Sequence, residues 1–139
     1  MGISEGAVCV LDASVVLRLI TCDPFTQDPM SASWAEQLQQ ASLVLCPELM
    51  LTEVANGLWK LQRAGKLGGI DPQLLLVDAR DLVDRIEPDR HLQVEALALA
   101  CHFNHPVYDC VYLALARREA AILLTADQRL QRLADQVLP

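Results

Sequence analysis

The stretch Tyr108 to Leu130, YDCVYLALARREAAILLTADQRL, decides the fold. From Tyr108 to Ala116 it is apolar on every side, so at helical period it predicts a buried helix. Asp109 stands in the first turn, and Arg117 and Arg118 close the last, where the helix dipole favours cations. Shortly after, Ala121-Ile122-Leu123-Leu124 is an apolar run of the kind that forms a parallel strand covered on both faces. Thr125-Ala126-Asp127 follows, where the chain must surface. A buried helix, a tight turn and a strand ending in an acid describe the edge at which open α/β sheets place their ligands. Local roles exist for both acids. Asp109 suits a helix N-terminus, and Thr125 with Gln128 has the spacing of a capping box for a last helix. The choice depends on whether further acids reach the same place.

Upstream, Val8 to Leu11 is a short apolar run ending in Asp12, followed by Ala13-Ser14 and the helical pattern Val15, Val16, Leu19, Ile20. A strand that ends in an acid and enters a helix opens an α/β fold. Asp12 or Ser14 can cap that helix. Neither a GxGxxG nor a GxxxxGKS follows, so no phosphate cradle is present. Thr21 to Met30, with Pro24 and Pro29, predicts a loop. Ser33 and Glu36 have capping-box spacing for a short helix with Trp34, Leu38 and Ala41 along one side. Leu43 to Cys46 is the second strand candidate.

Glu48 to Ala64 predicts a longer helix, with Gly65 as its C′ residue and Leu51, Val54, Ala55, Leu58 and Leu61 as its core stripe. Glu53, Asn56 and Lys60 share another face, which reads most simply as solvated. Gly57 within the helix costs about 1 kcal/mol relative to Ala, a cost that a close approach of another element would justify. Lys66 to Gly69 is a turn, and Asp71-Pro72 supplies an N-cap and an N1 proline for a helix through Leu75, Leu82 and Val83. Ile86-Glu87-Pro88 suits an edge strand. Leu92 to Phe103 predicts a helix with Val94, Leu97, Ala98 and Cys101 inward, ended by Asn104 and Pro106. Gln128 to Ala134 is a last helix, and Val137-Leu138 a candidate terminal strand. The order predicts one α/β domain over 1–139, a three-layer sandwich around a mostly parallel sheet. Val8–Leu11 should be central, flanked by Leu43–Cys46 and Ala121–Leu124.

Composition sets outer bounds. A chain of 139 residues, 53% hydrophobic but only 4% aromatic, builds an aliphatic core and is not disordered. The net charge of −7 argues against a polyanionic partner unless several acids share one metal. The five cysteines (Cys9, Cys22, Cys46, Cys101, Cys110) are odd in number and lack CxxC spacing, which predicts buried, reduced thiols. Cys101, His102 and His105 are too few for a metal site without further ligands. The sequence shows no signal peptide, myristoylation pattern or membrane-spanning run, so a cytoplasmic protein without membrane attachment is expected.

Neighbouring strands would bring Asp12 and Asp127 out on one sheet edge, with Asp109 at the start of a helix packed beside them. Glu53, one turn into its helix, can join them. Carboxylates gathered in a cleft repel one another, and a fold keeps such a group when it holds hard cations. Mg²⁺ prefers a few carboxylates together with water and substrate phosphate.

Four segments resemble the motifs of PIN-domain ribonucleases, especially bacterial VapC-type toxins. They are Val8-Cys-Val-Leu-Asp-Ala-Ser-Val15, Leu51-Thr-Glu-Val-Ala-Asn-Gly-Leu58, Tyr108-Asp-Cys-Val-Tyr-Leu-Ala-Leu-Ala116 and Leu124-Thr-Ala-Asp-Gln-Arg-Leu130. The resemblance spans nearly the whole chain in the right order, and the third motif is the most specific. It implies a parallel sheet of about five strands and an acidic set falling on Asp12, Glu53, Asp109 and Asp127. Ser14 and Thr125 would be supporting polar groups. It further implies Mg²⁺ or Mn²⁺ dependence, hydrolysis of RNA phosphodiesters, a homodimer, and inhibition by an antitoxin that fills the cleft. Two features depart from it: the acidic balance, and the lack of a basic patch with interleaved aromatics for stacking bases. Arg18, Lys60, Arg117 and Arg129 are the candidate phosphate contacts.

Two other classes compete. A phosphoacceptor signalling domain also gathers acids at this edge, but it needs a Lys near the last strand, and none follows Lys66. A catalytically silent PIN-like interaction module would keep the fold and bind only a partner; metal-dependent RNA cleavage discriminates it.

Overall fold

A computed structural model describes residues 6–21 and 28–139. Four strands, β1 (Val8–Leu11), β2 (Leu43–Pro47), β3 (Arg85–Glu87) and β4 (Ile122–Leu124), form one sheet in the order β3-β2-β1-β4. Every pairing is parallel, with Cys9 opposite both Val44 and Ile122, and Leu11 opposite Leu124. The expected neighbours of the central strand are therefore the observed ones. Seven helices connect and cover the strands: α1 (Ala13–Thr21), α2 (Pro29–Gln40), α3 (Glu48–Arg63), α4 (Pro72–Asp81), α5 (Gln93–Phe103), α6 (Val107–Arg118) and α7 (Gln128–Val137). Helices α1 to α4 pack on one another, as do α5, α6 and α7. Helix α6 lies against β1, β2 and β4, and Cys110 to Ala116 are all buried, as an all-round apolar helix must be.

Several local expectations hold. Asp71 caps α4 by accepting from the Gln73 amide at 2.9 Å, with Pro72 at N1. Gly65 follows α3 with φ +70°, and Asn104 ends α5 with φ 52°, the left-handed cap conformation. At Gly57 a Cβ would lie 2.4 Å from Leu17 Cδ1, so the glycine marks where α1 crosses α3.

Others are corrected. The sheet has four strands among the described residues, not five, and Val137-Leu138 is no strand: α7 runs through Val137 and Leu138 is its C-cap. Helix α2 starts at Pro29, capped by Asp28, rather than at Ser33 with Glu36. The Asp28 carboxylate accepts from the Met30 amide and the Ser31 hydroxyl, and Pro29 is pre-set for N1. The remainder of the predicted loop, including Cys22 and Pro24, lies outside the described residues. The inward face of α5 was expected on Val94, Leu97, Ala98 and Cys101; the buried residues are Ala96, Leu99 and Ala100, with Leu92 at the cap. A helix apolar all round has no periodicity to choose its face, so Val94 (85% exposed) and Leu97 (55%) point outward, and Cys101 is exposed. Cys9, Cys46 and Cys110 are buried, unpaired thiols, and burial pushes Cys46 up to about 12 and Cys110 to about 11. In α3 the core is Met50, Val54 and Leu58, with Leu51, Ala55 and Leu61 half-buried. Strand β4 is an edge, so Ile122 is exposed rather than covered on both faces.

Candidate active site at the C-terminal end of the sheet

Because β1 and β4 are parallel neighbours in register, the residues after Leu11 and Leu124 emerge together. The Asp12 amide extends the ladder by donating to the Leu124 carbonyl at 3.2 Å. The Asp12 side chain, buried at the start of α1, then takes two roles. Its Oδ1 accepts from the Ser14 amide at 2.8 Å, the Val15 amide at 3.3 Å and the Ser14 hydroxyl, which caps α1. Its Oδ2 accepts from the buried Thr125 hydroxyl at 2.5 Å. Ser14 Oγ in turn accepts from the Ala126 amide at 3.0 Å, and Thr125 Oγ1 from the Asp127 amide at 3.0 Å. Ser14 and Thr125 thus lock the two strand ends together. Burial raises the Asp12 carboxyl above its ordinary range, against the opposing pull of these donors.

Glu53 reaches the same region from α3. Its Oε1 accepts from the hydroxyl of Tyr112, a fully buried ring on α6. Burial raises its pKa first, the Tyr112 hydrogen bond lowers it, and the charges of Asp109, Asp12 and Asp89 raise it further. Three of the four nominated acids therefore share one electrostatic neighbourhood. Asp109, one turn before Tyr112 on α6, is held by its own donor: its Oδ2 lies 2.7 Å from Nε2 of the buried His105. Asp127 differs. It is exposed, and its Oδ1 caps α7 by accepting from the Arg129 amide at 2.9 Å and the Leu130 amide at 3.3 Å. The proposed Thr125–Gln128 capping box is not formed: the cap is Asp127, while Thr125 faces Asp12.

Sequence reasoning missed His105, Tyr112 and Asp89. Tyr112 had a readable signal, lying at i+3 from Asp109 on one face of α6; His105 precedes the Pro106 cap of that helix, and its approach to Asp109 depends on the turn between α5 and α6. Asp89 had none. It sits in the short 3-10 turn Asp89–His91 and braces the start of α3, accepting from the Leu49 amide at 3.0 Å while its own amide donates to Glu48 at 2.9 Å.

Among the described residues no three His, Cys, Asp or Glu side chains stand close enough to enclose a cation by themselves. Mg²⁺ does not require that. It binds through one or two carboxylates and fills its remaining positions with water and substrate phosphate. The donor set of Asp12, Glu53 and Asp109, all hard oxygen ligands coupled by charge, fits such an ion.

A sequence profile for the PIN domain matches residues 9–136, and the chain belongs to the PIN-domain family. Ribonuclease VapC3 of Pyrobaculum aerophilum is 30% identical to it over 123 residues, 87% of this chain and 90% of that protein. Among solved structures, PAE2754 from Pyrobaculum aerophilum superposes with a TM-score of 0.68 at 20% identity, covering 98% of this chain and 87% of the other. VapBC2 from Rickettsia felis, solved bound to a DNA fragment from their promoter, gives 0.62 at 14% identity, covering 95% and 97%. These two likenesses concern the fold. No helix of the described residues is long and apolar enough to cross a membrane.

Proposed function

We propose that the chain is a metal-dependent endoribonuclease and the toxin of a toxin–antitoxin pair. The observation that carries this reading is the meeting of Asp12, Glu53 and Asp109 in one neighbourhood at the C-terminal end of a parallel sheet, in a PIN-domain chain related to a ribonuclease. Each of these carboxylates is oriented by a hydroxyl or imidazole on a rigid element: Asp12 by Ser14 and Thr125, Glu53 by Tyr112, Asp109 by His105. Asp12, Glu53 and Asp109, directly or through water, would hold a Mg²⁺ or Mn²⁺ ion, which would supply Lewis-acid chemistry toward a phosphoryl group and a bound water. The protein's share is to keep three mutually repelling carboxylates in place before substrate arrives. Asp127, tied to Asp12 through Thr125, is the fourth acid of the set, and its carboxylate caps α7.

The partners follow from exposed apolar surface. The outer face of α5, with Val94, Leu97 and Cys101, is the face we assign to a homodimer, since a soluble monomer has no use for an apolar stripe there. An antitoxin segment bearing Arg or Lys would enter the acidic cleft. Free, buried thiols support a reducing cytoplasmic setting. A catalytically silent, partner-binding role is the second reading, favoured by the engagement of Asp127 as a helix cap. The deciding experiment is cleavage of RNA by the purified chain in Mg²⁺ or Mn²⁺ against EDTA. Cleavage in metal that Asp109→Asn abolishes supports the nuclease; none under any condition, with metal bound or not, leaves the silent module.

A further inference from the structure

The whole-chain charge of −7 conceals one strongly basic segment. Between Glu53 and Asp71 the sequence VANGLWKLQRAGKLGGI contains no acid, but carries Lys60, Arg63 and Lys66. Among the described residues none of these three is in an ion pair, whereas Arg85, Arg117 and Arg118 are matched by Glu119, Glu95 and Glu87. At 100° per residue, Glu53, Asn56, Lys60 and Arg63 fall within about one quarter of the α3 circumference, and Trp59 borders them. Asn56, Trp59, Lys60 and Arg63 are exposed, and Glu53 is half-buried. The stripe thus begins at the candidate site and runs about 15 Å along the helix surface at 1.5 Å per residue. Trp59 is 49% exposed, with the Arg63 guanidinium 4.9 Å from its ring centroid. Beside it opens a cavity of about 210 Å³ lined by Leu58, Trp59, Gln62, Gln73 and Leu76.

Two ordinary explanations account for part of this. Cations near a helix C-terminus are favoured by the dipole, which suits Lys60 and Arg63. An exposed apolar residue suits a protein contact. Neither explains an acid-free basic run, in an otherwise acidic chain, that starts at the carboxylates and carries a cation-stacked aromatic. Single-stranded nucleic acids are bound by this combination, with cations on the phosphates and an aromatic face for a base.

We infer that the outer face of α3, with the turn that follows it, is the substrate track: Lys60, Arg63 and, in the turn, Lys66 bind the phosphodiester backbone of a single-stranded RNA, and Trp59 stacks one of its bases over the adjoining cleft. Gln62 and Gln73 line that cleft. The backbone then passes Asn56 and arrives at Glu53. This assignment rests on the nuclease reading for its choice of RNA, but it is tested separately.

The test is binding of a short labelled single-stranded RNA in EDTA, where no cleavage occurs, read by anisotropy between about 50 and 200 mM salt. Trp59→Ala should weaken binding on the order of tenfold, the value of one lost base–aromatic stack, and Trp59→Phe should recover most of it. Lys60→Gln with Arg63→Gln should reduce the slope of log affinity against log salt by about 1.4, at about 0.7 per lost single-strand phosphate contact. Arg90→Gln with Arg132→Gln, a charge-matched control on other elements, should change neither. RNA should also quench Trp59, while Trp34, 5% exposed, responds little. Equal losses in the control pair, or full affinity in the Trp59→Ala and Lys60/Arg63 variants, overturn the track. So does a Trp59→Ala protein that binds RNA normally but loses self-association, which would make the face a protein interface. The two readings fail differently. RNA bound through α3 but never cleaved in metal removes the nuclease and keeps the track; metal-dependent cleavage at parental kcat/KM in every α3 variant does the reverse.

Discussion

Substitution of Asp12 separates charge from geometry. Asn is nearly isosteric and caps helices as well as Asp, and its amide can donate to Thr125 Oγ1 where the carboxylate accepted, so Asp12→Asn keeps the packing and the α1 cap, removes the charge and leaves the Thr125 hydroxyl proton without its acceptor. Asp12→Ala removes charge and cap together. It loses the α1 cap, about 0.5–2 kcal/mol, and the side-chain hydrogen bond to Thr125 that Asn retains, about 0.5–1.5 kcal/mol. Since both variants are uncharged, Ala should be less stable than Asn by about 1–3.5 kcal/mol, or about 3–12 °C in melting temperature for a chain of this size. The parent should compare with Asn according to pH. Burial raises the folded pKa of Asp12, so its favourable contribution is complete below the unfolded pKa and lost as pH rises through the folded one. In EDTA, Asp12→Asn should equal or exceed the parent near neutrality and lose that advantage near pH 4. Glu87, lowered by His91 and Arg118, acts in both proteins and cancels in the difference, whereas Glu53 is raised in part by the Asp12 charge, so its relief in the Asn variant adds to that variant's advantage near neutrality. Mg²⁺ or Mn²⁺ at a hundredfold excess over Kd should add about 2.7 kcal/mol to the parent and far less to the Asn variant. Calorimetry of the three proteins with and without metal at both pH values reads all of this. An Asn variant as unstable as Ala at every pH, with no metal effect on the parent, would reduce Asp12 to a cap.

Four further outcomes are expected. Asp109→Asn should lower metal-dependent RNA cleavage at least 100-fold with unfolding unchanged within about 1 kcal/mol, since His105 retains a hydrogen-bonding neighbour; full activity would reject the site. Asp127→Ala should cost about 0.5–2 kcal/mol with or without metal, whereas Asp127→Asn should preserve the cap, so any cleavage it loses reports on the ion or substrate rather than on α7. Gly57→Ala gains about 1 kcal/mol of helix propensity but drives a methyl into Leu17, so denaturant titration should show net destabilisation that disappears in a Leu17→Ala background. Leu97→Lys, at a position 55% exposed, should leave stability unaltered and shift sedimentation toward monomer; an unchanged dimer would move the interface off α5.

Apart from a terminal strand at Val137-Leu138 that proved to be helix and cap, and the starting point of α2, the sequence alone determined the elements and their order, because strong signals here are local. Runs such as Val8–Leu11 and the all-apolar helix after Tyr108 can only be interior, and Asp71-Pro72 or Gly65 mark ends through backbone geometry that depends on few neighbours. It also nominated Asp12, Glu53, Asp109 and Asp127 for one edge of the sheet, but their convergence was for the fold to decide. What it did not determine is direction. Helix α5 is apolar all round, and only its packing against α6 decided that Ala96 and Leu99 face inward while Val94 and Leu97 face solvent. The donors of the site were likewise invisible, since Tyr112 meets Glu53 across 59 positions of sequence and Thr125 meets Asp12 across 113. Whether a carboxylate is a cap, a charge partner or both depends on which helix terminus and which hydroxyl the fold sets beside it. For Asp127 that meant the amides of α7, and for Asp12 a buried position between two strand ends, because hydrogen bonds and desolvation act over a few ångströms in space whatever the separation along the chain.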